Sequence, residues 1–229
     1  MDKKIKIAVG LILVACLMCV GLNLYNQSSN KSTDNKIVSF SKDSKEKNII
    51  LNVSSEFDSI YDNSNTTELE NRSDLIVIGK IKSVDGAINY NEKTNEYIMT
   101  STIGTVKVDT IIKSNGVVLS GDVIKFARLG GVISVDEYIK TLEPRQITRQ
   151  GLDMLTEEEK KNSYVKDMPK DDIEPEEGKT YLMYMEYDED LNRYFIIGME
   201  YGLKEYNKVT NKVKNNLTNK WERNPYSDR

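Results

Sequence analysis

The sequence predicts a mainly β protein: a single five-stranded barrel with a helix-containing insertion between strands 3 and 4, preceded by an N-terminal transmembrane or signal helix. Three observations predict it. Beyond Ser73, apolar residues fall in short strand-like runs separated by Asn-, Gly- and Asp-rich turns. Glycines interrupt two of these runs, at Gly79 and Gly104, where the strands of a small barrel must coil or bulge. The strongest helix signal outside the N-terminus, around Thr156, falls between the third and fourth strand candidates.

The N-terminus predicts an address. Lys3, Lys4 and Lys6 precede an almost wholly apolar run from Ile7 to Tyr25, and no further charge occurs until Lys31. At a rise of about 1.5 Å per residue, that run approaches the roughly 30 Å of a bilayer's hydrocarbon core. Basic residues on its N-terminal side keep that end in the cytoplasm and send the rest of the chain outward. Residues 1–25 are therefore expected to be either an uncleaved signal anchor or a lipoprotein signal. The second alternative rests on Leu13-Val14-Ala15-Cys16, which resembles a lipobox with Cys16 as the lipidation candidate. Cys16 and Cys19 are the two cysteines of the chain, so the exported part carries no disulfide and no thiol chemistry.

Residues 26–65 are expected to form a flexible stalk, because Asn26 to Asn48 is rich in Ser, Asn, Lys and Asp and poor in apolar residues. Within it, Ile49, Ile50, Leu51 and Val53 have the composition of an added strand. Thr67 and Glu70 have capping-box spacing and predict a turn of helix carrying Leu69. The barrel domain is expected over 66–206. Its first strand is Leu75 to Val84, with Leu75, Val77 and Ile81 on one face, followed by a long strand or bent pair from Tyr97 to Lys113. Ser114-Asn115-Gly116 and Ser120-Gly121 mark turns before the strand Asp122 to Leu129. The insertion, Val132 to Gly178, holds Thr156 and Glu159 as a capping box and Glu157 four residues before Lys161. Thr180 to Tyr187 and Arg193 to Met199 flank Asp188–Asn192 as a hairpin, and Leu203 to Tyr206 adds a last short strand. Residues 207–229 are expected to be a basic, solvated tail.

Strand, strand, strand, helix, strand, strand is the order of an OB-type barrel, the favoured reading, and a β-sandwich or an open α+β sheet shares it. The segments Ser73-Asp74-Leu75-Ile76-Val77-Ile78-Gly79-Lys80-Ile81, Thr105-Val106-Lys107-Val108, Gly121-Asp122-Val123-Ile124, Leu129-Gly130-Gly131 and Glu177-Gly178-Lys179-Thr180-Tyr181-Leu182 carry a resemblance over Ser73 to Tyr206. They resemble exported, membrane-anchored bacterial OB-like domains of the netrin/tissue-inhibitor-of-metalloproteinase group. That resemblance implies the barrel. The inhibitors of that group reach a protease zinc through an N-terminal cysteine, which this domain does not have. An abundance of Asn, Lys, Ile and Tyr is similar to that of exported proteins from low-GC Gram-positive bacteria.

Composition also excludes chemistry. The chain of 229 residues has no histidine and a formal net charge of −4, which removes histidine acid–base catalysis and histidine metal sites. It also argues against a nucleic-acid partner. Tyr181, Tyr184, Tyr187, Tyr194 and Phe195 are expected in cross-strand packing. Asp188, Asp190 and Asn192 match half of a calcium loop, but Arg193 and Met199 occupy the positions of the required glycine and glutamate. The acidic run Asp171, Asp172, Glu174, Glu176 and Glu177 is expected to be a solvated loop. No catalytic, metal or cofactor-binding residue is selected, and no cofactor is expected.

These observations predict a non-enzymatic binding module tethered to the extracytoplasmic face of a bacterial membrane. Its partner would be an envelope protein or polymer, bound through the Val132 to Gly178 insertion, since loops on a rigid scaffold carry most binding sites. An extracytoplasmic hydrolase using two carboxylates is the alternative. Cys16→Ala separates the two anchors by mass spectrometry: lost fatty-acid labelling marks the lipoprotein, and an unchanged mass marks the spanning helix.

Overall fold

The structure is a computed structural model that describes residues 47–55, 60–114 and 116–228. The expected anchor with Cys16, and the stalk as far as residue 46, lie outside the described residues. Among the described residues, no helix is long and apolar enough to cross a membrane. The protein is mainly β. In chain order the strands are β1 (Ile49–Ser55), β2 (Leu75–Asn91), β3 (Glu96–Lys113), β4 (Val123–Leu129), β5 (Gly131–Ser134) and β6 (Tyr164–Pro169). They continue with β7 (Thr180–Asp188), β8 (Arg193–Ile196), β9 (Leu203–Asn207), β10 (Lys212–Lys214) and β11 (Trp221–Arg223). Short helices are α1 (Thr66–Arg72), α2 (Val135–Tyr138), α3 (Pro144–Arg149) and α4 (Glu157–Asn162).

Strands β2, β3 and β4 form an antiparallel meander. After the insertion, β7 returns antiparallel to β2, and β8 pairs antiparallel with β7 and parallel with β4. The pairings thus run β7–β2–β3–β4–β8 and back to β7. Inside this ring lie Leu75, Val77, Ile81, Val106, Val108, Phe126, Tyr181, Met183, Met185, Tyr194 and Ile196, all buried in one cluster. The expected face of Leu75, Val77 and Ile81 is the one turned inward. The alternate residues Ile76, Ile78, Leu182 and Tyr184 are also buried, in a second cluster with Leu69, Val213 and Tyr226. Both faces are covered over Leu75 to Ile78 of β2 and Tyr181 to Met185 of β7, which is why these stretches are continuous apolar runs.

The long β2 and β3 stay paired by slipping register repeatedly, including between Ile78 and Gly79 and between Val84 and Gly86. Gly104 sits where β3 packs closely against Ser83 of β2 and Phe126 of β4. A Cβ there would lie 2.8 Å from Phe126 Cε1 and would also meet the Ser83 carbonyl.

A second, three-stranded sheet has the order β1–β6–β5. The insertion is richer than a helix: it contributes β5, β6 and three short helices around its own core of Ile133, Val135, Tyr138, Leu152 and Val165. The span expected to be a stalk contributes β1, which pairs parallel with β6 from Ile49 against Tyr164 to Ser55 against Pro169. The Thr156–Glu159 capping box forms as expected, with Thr156 N donating to Glu159 at 2.8 Å. Glu157 pairs with Lys160 at 2.8 Å, one residue short of the expected Lys161. Helix α1 is capped by Asn65, whose Oδ1 accepts from the backbone of Thr67 and Glu68, in place of the expected Thr67 cap.

One loop design closes three hairpins. In Tyr90-Asn91…Asn95, Tyr187-Asp188…Asn192 and Tyr206-Asn207…Asn211, the tyrosine hydroxyl donates to the last Asn side chain. The second residue accepts from two loop amides. The last Asn is left-handed in each loop, at φ 58°, 50° and 50°, a conformation Asn tolerates better than other side chains do.

Residues 207–229 are not a solvated tail. Strands β10 and β11 extend the sheet from β9, Val213 and Tyr226 are buried, and the Tyr226 ring lies 6.3 Å from that of Tyr184. Asn216 Nδ2 donates to the carbonyls of Glu200 and Leu203. Polar side chains here satisfy backbone groups, so the segment packs without an apolar signature.

The acidic run is also structural. Asp172 is buried against Arg128, each side chain 1% exposed, and Arg128 Nη2 donates to the Met199 carbonyl at 2.8 Å. Ile173 packs on the barrel core, Glu174 pairs with Lys166, and Glu176 pairs with Lys179 at 2.7 Å. Removing one member of a buried pair strands the other's charge. Arg128→Met is expected to cost about 3–5 kcal/mol in chemical denaturation, and adding Asp172→Leu should restore most of it. A double variant no more stable than the single one would contradict this.

Candidate functional site

A cleft of about 400 Å³ opens between the barrel and the small sheet. The start of β3 supplies Tyr97, Met99 and Thr100, and the β4–β5 junction supplies Leu129 and Gly130. The insertion supplies Tyr138, Lys140, Thr141, Leu142, Asp167 and Pro169. A chain junction at Gly130 makes this seam possible. Its φ is +85°, and a Cβ would lie 2.8 Å from Pro169 Cδ and 2.9 Å from Met168 Sδ. Glycine therefore lets β6 approach as the chain passes from barrel to small sheet. Thr102 locks the junction, because its amide and hydroxyl both donate to the Gly130 carbonyl, at 2.8 and 2.7 Å.

Side chains at the rim are exposed where an ordinary surface would be polar. Tyr97 is 51% exposed and Met99 59%, and Tyr97 is held edge-on against Tyr90 with ring centroids 5.2 Å apart. Deeper in the cleft, burial pushes the Asp167 carboxyl above the usual aspartate range, opposed by a hydrogen bond from the Thr100 side chain. Burial also raises the Tyr138 phenol, and the Asp167 charge adds in the same direction. Lys140 is committed elsewhere. Its ammonium lies 2.7 Å from Glu137 and 3.7 Å from Asp136, with the Glu137 bond foremost in holding its pKa up.

The residues singled out in the sequence lie mostly elsewhere. Cys16 is outside the described residues. Asp188 and Asp190 do not converge: Asp188 caps its own hairpin, and Asp190 pairs with Lys93 at 3.0 Å. Tyr181 and Tyr194 fill the barrel, while Tyr184 and Phe195 pack on its outer face. Trp221 is 41% exposed on β11. Sequence reasoning placed binding on the insertion but named neither Asp167 nor Tyr138. The available signal was weak: one acid within a short apolar strand, Tyr164-Val165-Lys166-Asp167-Met168. A smaller cleft of about 290 Å³ is lined by Lys107, Asp109, Thr180, Tyr206 and Lys208 among others. No protein-family model matches the chain, and no curated protein matches it.

The raised Asp167 pKa has a defined sign. Between the ordinary aspartate pKa and the raised value, the folded protein keeps a proton that the unfolded chain has lost. Stability therefore falls as pH rises through that window, and above it the cost of a desolvated carboxylate persists. Asp167→Asn is expected to raise the Tm at pH 7, with the gain vanishing below about pH 4. Thermal melts across pH check it, and a lower Tm at pH 7 would mark the carboxylate as a net stabiliser.

Proposed function

We propose that the protein is a non-enzymatic binding module of the bacterial cell envelope, tethered on the extracytoplasmic face by its N-terminal segment. In this reading the ring of β2, β3, β4, β7 and β8 is an OB-type barrel. The supporting pattern is a three-strand meander, a fourth strand returning to the first, and a fifth lying parallel to the third. This pattern also agrees with the netrin/tissue-inhibitor-like resemblance of Ser73 to Tyr206. The tether rests on Lys3, Lys4, Lys6 and the apolar run from Ile7 to Tyr25.

The observation that carries the binding role is the cleft between barrel and insertion, lined by a partly buried carboxylate together with an exposed tyrosine and methionine. A carboxylate kept in a desolvating site destabilises the fold, and such sites are where binding chemistry concentrates. The partner is an envelope protein or polymer. A nucleic-acid partner draws no support, because the β7–β8 loop presents Asp188, Glu189 and Asp190. The carboxylate-pair hydrolase also draws little, since Asp167 is the one carboxylate among the lining residues and a glycosidase needs two facing acids.

Cross-linking of the full-length protein to intact envelope, with mass-spectrometric identification, tests this reading. Thr141 is exposed at the rim, so Thr141→Trp would obstruct the cleft without disturbing a core. It is expected to weaken saturable capture at least about tenfold, equivalent to roughly 1.4 kcal/mol, with an unchanged Tm. Undiminished capture would remove the partner from this cleft.

A further inference from the structure

We propose that the cleft between the barrel and the insertion recognises a protonated amine carried on an apolar stem, with the ammonium seated at Asp167. The inference rests on the binding reading above and specifies its ligand. The charges around the cleft do not cancel. Lys140 is already held by Glu137 and Asp136, so the Asp167 carboxylate is the charge left facing the space. An anion would meet that carboxylate directly. A neutral group would leave it desolvated without a counter-charge, whereas an ammonium offsets the desolvation with a charge-assisted hydrogen bond.

The remaining walls suit the same ligand. Tyr97, positioned by its contact with Tyr90, lines the space with an aromatic ring, a group that attracts cations. Met99, Leu129 and Leu142 line the space with adaptable apolar surface for a short alkyl chain. A cation entering here also supplies the counter-charge that offsets the desolvation raising the carboxyl's pKa. The ammonium group could belong to a free small amine or to a lysine side chain, and both present the same chemistry.

The test uses the full-length chain labelled with [methyl-13C]methionine, with the Met99 signal assigned through Met99→Leu. n-Butylammonium is expected to shift that signal saturably, while n-butanol and butanoate shift it little. Asp167→Asn, which keeps the side-chain size, should weaken the effect at least about tenfold. Nα-acetyl-lysine methylamide is the second cationic arm: tighter binding than n-butylammonium assigns the group to a lysine side chain, and weaker binding assigns it to a free amine. A butanol or butanoate response equal to the cation's, or an Asp167→Asn variant that binds n-butylammonium undiminished, overturns the cation assignment while leaving the cleft a binding site. No Met99 response to any probe also overturns the cation assignment; envelope capture lost in Thr141→Trp would then still uphold the binding reading, and undiminished capture would overturn both.

Discussion

Backbone pairing between β4 and β8 is the constraint on which the rest of the molecule depends. These strands run parallel, Phe126 beside Tyr194 and Arg128 beside Ile196, while β8 is also bonded to β7. Without that pairing, the meander and β7 would form an open sheet with β4 as an unpaired edge. With it, the inward side chains are sealed together, and every outward apolar residue on β2 and β7 must be covered from outside. Helix α1 and the C-terminal strands meet that requirement through Leu69, Val213 and Tyr226. The same closure places Arg128 among buried groups, where a second buried charge, Asp172, and the Met199 carbonyl answer it.

Closure also explains where a cleft can exist. The inward side chains of the ring are packed together in one buried cluster, and the cleft of about 400 Å³ lies outside it, beside Gly130, where the chain leaves β4 and enters the small sheet within a single residue. The small sheet is held from the far side by β1, a strand supplied from before the barrel in the chain. Strand β1 thus helps to shape the wall that bears Asp167, whose backbone neighbours are Val53 on β1 and Gly131 on β5.

Parts of this were legible in the sequence because their signals are local. The runs Leu75 to Ile78 and Tyr181 to Met185 are continuous and apolar because both faces are covered, and the Thr156–Glu159 box needs only residues three apart. The helix at Thr66 shows the limit of such rules: Thr67 and Glu70 have the right spacing, but Asn65 offers its oxygen first. The pairing of β1 with β6 was not legible, since a parallel partner lies far along the chain and β6 is short, polar in part and ends in proline. The C-terminal strands were obscured because Asn216 and Asn224 stabilise them through hydrogen bonds instead of apolar area. The shared Tyr-Asx…Asn hairpin design becomes visible only when three loops are compared. Asp167 had only a weak sequence signal, because its character comes from the burial and neighbours that the fold imposes.

Close packing at Gly130 joins the small sheet and the barrel into one cooperative unit, with the cleft between them. Native-state hydrogen exchange, resolved by residue, tests this. Protected amides of β5 and β6 are expected to open with the same free energy as those of β2 and β3, because unfolding either sheet exposes the seam at Gly130. Exchange of β5 and β6 through a separate and much less costly opening, with the barrel still protected, would contradict it.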